Sequence, residues 1–359
     1  MWLSDSSVGR KFIMAITGAV LVLFVTFHCL MNAVAIIWPV AYNSVCMFLG
    51  ANWYALAASA GLALFIVVHI IYAVVLTLQN RRARGHERYA INKRPAGVEW
   101  SSQNMLVLGI VVLAFLVVHL IQFWAKMQLV EVAGCDTLIP ATAGTLFLQE
   151  AFAQPWTIVV YLIGFIALWF HLTHGFWSMF QSVGWDSTVW IPRLKCIAQW
   201  WVGIVTALFV AEAIVFTVNA NKDYYKTNED LRQQYMSMII PEVFDDLGPD
   251  AVQQLSAMPY DQLSQMIDYQ MMQLSNPQVQ AMQAQNPDFQ KVLKAFTHMQ
   301  EFMNYLNGTP APEAPAAPVM GAAPQGAENV EAVEAVEVQE ATAQPAANPA
   351  DAEPAATNN

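Results

Sequence analysis

The sequence predicts an all-α fold: a five-helix transmembrane bundle followed by an acidic tail that is partly helical and partly disordered. Three observations carry this. The 359 residues are 56% hydrophobic and 12% charged, too apolar for an ordinary soluble domain. Five separate runs reach the ~20 apolar residues that a helix needs to cross the bilayer. The charge is also divided unevenly. Residues 1–220 hold 11 Lys and Arg against 8 Asp and Glu, a net of +3, while residues 221–359 hold 5 against 19, a net of −14. The overall acidity therefore belongs to the tail.

The polar lead-in MWLSDSSVGRK ends at Arg10 and Lys11, and the first span runs from about Phe12 to Trp38, stopping at Pro39. No secretory leader is expected, because this run is as long as a span and lacks a small-residue cleavage site. The second span covers about Trp53–Leu78 and is followed by a basic loop with Arg81, Arg82, Arg84, Arg88, Lys93 and Arg94. The third covers about Met105–Lys126, the fourth Ile158–Gln181 and the fifth Ile197–Val218, after Arg193 and Lys195. The amino end and the 80–100 and 184–196 loops carry ten basic residues, and the opposite loops have almost none. By the positive-inside rule the amino terminus faces the cytoplasm and the tail the periplasm, as in a multi-pass protein of a bacterial inner membrane. Trp38, Trp53, Trp100, Trp124, Trp156, Trp185 and Trp200 fall near span ends, where an aromatic belt belongs.

Beyond the membrane domain at 1–220, residues 221–306 are Met- and Gln-rich. They read as short amphipathic helices, with breaks at Pro259 and Pro277. They offer an adaptable apolar surface for packing or for a partner. Residues 307–359 are Ala, Pro and Glu and cannot bury enough surface to fold.

The chemistry-bearing residues are histidines. His28, His69 and His119 lie on the first three spans, and His171 and His174 on the fourth. An imidazole at membrane depth is costly unless it is paired or bound to something. At about 1.5 Å rise per residue, His28 and His119 lie roughly 21–25 Å from the cytoplasmic end of their helices, and His69 and His171 roughly 15–18 Å. Two matched levels on four helices fit two bis-histidine haems better than histidines packed by hydrogen bonds across helices. Zinc fits worse, since the neighbours are Leu, Val and Phe rather than carboxylates or thiols. With no CxxCH, such haems would be non-covalent and b-type. His174, one turn beyond His171, is a candidate ligand, propionate partner or part of a quinone pocket. His86, among arginines, reads as a surface residue, and His298 lies in the tail. No CxxC pair occurs among Cys29, Cys46, Cys135 and Cys196, so a zinc or iron–sulfur site on this chain is not expected. Cys46 and Cys135 share the outer side and could be bridged or free. Glu212 is the one carboxylate inside a span, open to a proton role or a neutral packing role. No nucleic-acid partner is expected.

SSVGRKFIMAITG leading into His28, the arginine-rich loop after His69, and HLTHGFWSMFQSVGW resemble the single-polypeptide, five-helix, dihaem cytochrome b subunit of menaquinone-linked succinate dehydrogenases and fumarate reductases. The resemblance covers about residues 5–220. It implies one haem b between the first and third spans and one between the second and fourth, with His171, four residues before Gly175-Phe176-Trp177, as the fourth-span ligand rather than His174. Trp169 stands where some relatives have a proton-conducting glutamate, so that pathway is not carried over. The implied role is a non-flavin membrane subunit anchoring a flavoprotein and an iron–sulfur subunit and passing electrons to or from menaquinone. It leaves room for a dimer of the complex and gives no direction of turnover. Docking would use the arginine-rich cytoplasmic face, whose charges also serve topology and contact with lipid. A quinone site near the outer haem has Tyr42, Asn43, Asn52, Glu131, Asp136 and Glu150 to draw on. The competing readings are the b-type anchor of a hydrogenase or formate dehydrogenase, and a haem-free membrane transporter or scaffold.

Overall fold

The computed structural model describes residues 6–50, 52–84, 99–283 and 286–308, all helix, turn or coil with no strand among them. The proposed disordered segment from residue 309 onward, and His86, Arg88, Lys93 and Arg94 of the basic loop, lie outside the described residues.

Five helices are long and apolar enough to cross a membrane: Ser7–Ile37, Trp53–Ala83, Met105–Ala133, Pro155–Ser182 and Trp190–Ala220. The second and third begin where their apolar runs do, at Trp53 and Met105, while the first, fourth and fifth begin three to seven residues earlier, because polar turns continue a helix into the interface where hydropathy no longer sees it. Ser6 shows how: its hydroxyl accepts from Gly9 N at 2.9 Å and starts the first helix five residues ahead of Phe12. That helix ends at Ile37, since Pro39 holds Trp38 extended, and Pro39 then opens a short outer helix, Pro39–Phe48. The third span is not uniform. It is α-helical over Met105–His119 and π-helical over Leu120–Leu129, then regains an α turn that ends at Gly134 in the left-handed conformation.

The fourth span is the hub, packed against the first, third and fifth. It lies so close to the third that a Cβ on Gly164 would fall 2.5 Å from the Phe115 ring. Large apolar residues such as Leu23, Leu64 and Ile204 point outward, as they must where the solvent is lipid.

Past the fifth span the chain turns at Asp223, whose φ of 52° is left-handed. Buried Gln149, on helix Gly144–Phe152, holds this turn by donating to Ala220 O at 2.7 Å and Asp223 Oδ1 at 3.0 Å. Helices Glu229–Val243, Pro249–Ser256, Tyr260–Leu274, Pro277–Gln283 and Pro287–Leu306 follow, four of them at or next to prolines, which fit the first turn of a helix. Together they form a cap on the end of the bundle away from the amino terminus. The cap and the spans belong to one unit, with a shared core running from Cys29 and Phe165 through Phe216 to Tyr235, Ile267 and Phe302.

A buried polar clamp ties the cap to the bundle. Asn43 Oδ1 accepts from Thr145 N and Thr145 Oγ1, both at 2.9 Å, and Asn43 Nδ2 donates to Gln234 Oε1 at 3.0 Å. Thr145 Oγ1 also meets Tyr235 Oη at 2.6 Å. All four cysteines are free. Cys46 is enclosed beside Tyr42 and Gly144, and burial pushes its thiol up to about 12, whereas Cys135 is exposed.

Candidate functional site

The five membrane histidines divide into two pairs and a single. His28 and His119 face each other with ring centroids 5.6 Å apart and planes at 87°, and His69 and His171 lie 6.4 Å apart at 60°. The pairs are separated along the membrane normal. His69 contacts the first span at Thr17 and Gly18, ten residues before His28, and His171 approaches Gly109, ten residues before His119. Ten residues of helix are about 15 Å. The pairing and order expected from residue depth are therefore those in which these rings meet, with the two levels farther apart than the depths of roughly 15–18 and 21–25 Å gave.

The outer pair is enclosed by rings. Phe24 stacks on His28 at 5.4 Å, Phe209 lies 6.3 Å from it, and Phe115 and Phe123 flank His119 at 6.0 and 5.3 Å. His119 Nδ1 is 3.2 Å from Tyr161 Oη, which donates to Gln122 Oε1 at 3.0 Å, and Gln122 Nε2 donates to Thr157 Oγ1 at 3.2 Å. The inner pair has a shorter attachment. His69 Nδ1 is 3.1 Å from Thr17 Oγ1, whose own hydrogen is taken by the Ile13 or Met14 carbonyl. His171 Nδ1 is buried with no hydrogen-bond partner. Leaving a buried ring nitrogen unsatisfied is costly unless it serves a ligand.

His174 belongs to neither pair. It turns to Glu99, Nδ1 to Oε2 3.4 Å, and packs edge-on against Trp177. Lys195 donates to Glu99 Oε1 at 2.7 Å and lies over the Trp177 ring. Partial burial would raise the Glu99 carboxyl, but the hydrogen bonds and charges of Lys195 and His174 outweigh it and hold the carboxyl below its ordinary value. This cluster forms the polar end of a groove of about 670 Å³ that continues along Trp200, Gly203 and Ile204.

Of the six polar groups considered for a quinone site, all but Glu131 are engaged with other parts of the chain. Asn43 is the clamp residue, and Tyr42 is buried and donates to Asn32 Oδ1 at 3.4 Å. Asn52 donates to Phe48 O, Asp136 pairs with Lys294 at 2.8 Å, and Glu150 pairs with Lys126 at 2.7 Å. Glu212 is buried against Cys29, with Sγ to Oε1 3.9 Å.

Two imidazoles on opposite sides of one metal, with metal–nitrogen bonds of about 2 Å and ring radii of about 1 Å, would set their centroids about 6 Å apart. Both pairs stand near that separation. Among the described residues no three of His, Cys, Asp or Glu come together to hold a metal. The donor set is thus two imidazoles per site, short of the four protein ligands of structural zinc and equal in number to those that a bis-histidine haem would take. Gly18 and Gly109, whose absent Cβ atoms would stand 3.6 and 3.9 Å from His69 Cε1 and His171 Cε1, keep the inner rings clear of side-chain bulk.

Residue depth alone brought out the histidines but not their supports: Tyr161, Gln122, Thr157 and Thr17. A signal for them was present. Tyr161, Gln122 and Thr17 are polar residues inside apolar runs and Thr157 stands at the edge of one, with Gln122 three residues from His119 and Thr157 four from Tyr161, spacings that share a helix face. The π-helical segment left no such mark. Compared with protein-family models, curated proteins and solved structures, the chain matches none.

Proposed function

We propose that this chain is the dihaem cytochrome b subunit of a succinate dehydrogenase or fumarate reductase, anchoring the complex in a bacterial cytoplasmic membrane and linking its iron–sulfur subunit to menaquinone. The observation that carries the reading is the meeting of four histidines from four spans as two facing pairs, about 15 Å apart along the helices. His28 and His119 would hold one haem b, and His69 and His171 the other. A haem with two imidazole ligands supplies one-electron transfer and keeps no open position for oxygen.

The remaining work falls to the chain's own residues. Tyr161 and Thr17 each engage one ring through Nδ1, which turns Nε2 of His119 and of His69 toward the opposite ring. The phenylalanines around the outer pair exclude water, and the cap covers the bundle end beyond it. The excess of Arg and Lys on the amino-terminal side supports a cytoplasmic position for that side. There Arg81, Arg82 and the basic loop meet the iron–sulfur and flavoprotein subunits and anionic lipid. The sequence features described above for this family carry the partners and the quinone.

The test is a reduced-minus-oxidised spectrum and haem-to-protein ratio on the chain purified with whatever accompanies it. Two b-type haems per chain are expected, falling to about one in His28→Ala, His69→Ala, His119→Ala and His171→Ala and staying at two in His174→Ala. A wild-type chain without haem overturns the reading and leaves a haem-free scaffold or transporter. Haem together with hydrogenase or formate dehydrogenase subunits would reassign the complex.

A further inference from the structure

We propose that Tyr161, backed by Gln122 and Thr157, is the positioning residue of the outer histidine pair and sets its reduction potential apart from that of the inner pair. This rests on the dihaem reading and goes beyond it by assigning a residue that acts through His119.

The directions of the hydrogen bonds follow from counting protons. A phenol has one hydrogen, and that of Tyr161 goes to Gln122 Oε1 at 3.0 Å. Toward His119 Nδ1, 3.2 Å away, the phenol oxygen can only accept. His119 therefore carries its proton on Nδ1 and presents Nε2, unprotonated, as the ligand atom. Gln122 is itself anchored, because its amide donates to Thr157 Oγ1 at 3.2 Å. Three side chains in series hold one ring, and bonds in such a chain polarise one another.

The inner pair has no equivalent. Thr17 accepts from His69, but its hydrogen ends on a carbonyl of its own helix, and His171 Nδ1 has no partner. The two ends of the ladder are buried, with Tyr161 4% and Thr157 0% exposed, and Gln122 between them is half-buried, so the phenol is placed to act on His119 rather than on a substrate. Its middle member, Gln122, lies in the π-helical segment that begins at the residue after His119. Departures of this kind from α-helix recur at functional sites.

A neutral acceptor on Nδ1–H makes an imidazole a stronger donor to metal, which favours the oxidised state. Removing the acceptor should raise one potential and leave the other in place. The experiment is a redox titration, followed by visible absorption, of the purified full-length protein with its accompanying subunits. In Tyr161→Phe, which keeps the ring against Phe115, Phe152 and Phe165, one midpoint is expected to rise by up to a tenfold change in the reduction equilibrium, about 59 mV for one electron. Gln122→Leu should move the same midpoint upward by less, and Thr17→Val should move only the other. Unmoved midpoints in Tyr161→Phe at full haem content, or equal movement of both, overturn the proposal. If Tyr161→Phe loses haem, Gln122→Leu decides, and an unmoved midpoint there overturns it as well. Absence of haem from the wild-type chain removes the dihaem reading and this proposal together. Two haems with unmoved midpoints remove this proposal alone.

Discussion

The end of the bundle beyond His28 and His119 and the end beyond His69 and His171 are held by different forces. At the outer end, water surrounds the cap and the hydrophobic effect operates. Tyr235, Leu263, Ile267, Met299 and Phe302 are among the best buried side chains of the molecule, and all lie in the cap. Toward the amino-terminal end, the spans face lipid with Ile16, Val74 and Val107 exposed, and apolar burial gives little drive. Helices there are aligned by close contact and a few polar bonds: Thr17 with His69, and Glu99 with Lys195 and His174. The outer pair thus has a three-member ladder beside a densely packed end, and the inner pair a single threonine beside a sparsely packed one.

The largest expected effect is in the clamp. Asn43→Ala removes three hydrogen bonds at a fully buried position and leaves Thr145 and Gln234 groups unpaired, at a cost of roughly 2–4 kcal/mol. Limited proteolysis should then cut within Glu229–Leu306 while the protease resistance of the segment from Ser7 to Ala220 persists; simultaneous loss of both would show that the two ends are not independent. The next is steric. A methyl on Gly164 would stand 2.5–2.6 Å from Phe115 and wedge the third span off the fourth beside His119, costing about 1–3 kcal/mol. Gly18→Ala and Gly109→Ala place their methyls at ordinary contact distance from His69 and His171, so thermal melts should change by less than about 1 kcal/mol. Equal sensitivity at all three glycines would erase the contrast between a tight outer and a loose inner pair.

The smallest effect is at Glu99. Its carboxyl is held below the ordinary value, so its stabilising contribution is present above the unfolded carboxylate range and is lost as pH falls through the folded value. For a partly exposed pair the worth is about 0–1 kcal/mol. Glu99→Gln should therefore lower the melting temperature slightly near neutral pH and match the wild type at acid pH. A gap that widened on acidification would mean that another group carries the shift.

The spans were legible because crossing a bilayer demands length and apolarity that sequence displays directly. The starts of the second and third spans, Trp53 and Met105, were legible too, but those of the first and fourth were not, since Ser6 and Pro155 extend helices through caps rather than hydropathy. Residue depth ordered the histidines correctly because a helix converts position into height at a constant rise. The cap was legible only as helices. Its Met- and Gln-rich stretches broke where Pro259 and Pro277 stand, but nothing in their periodicity told that Gln234 would reach Asn43, nearly two hundred residues earlier.

From its sequence alone this protein is determined to be a multi-pass helical membrane protein, with one histidine on each of three spans and two on a fourth. Those properties depend on composition and on spacing within single helices. Tertiary structure decided which histidines face each other, that His174 turns away to Glu99 while His171 Nδ1 is buried without a partner, and that a phenol from the fourth span meets the third-span ring. Those outcomes depend on how helices rotate and close upon one another. That rotation is set by contacts such as Gly164 against Phe115, between residues far apart in the chain.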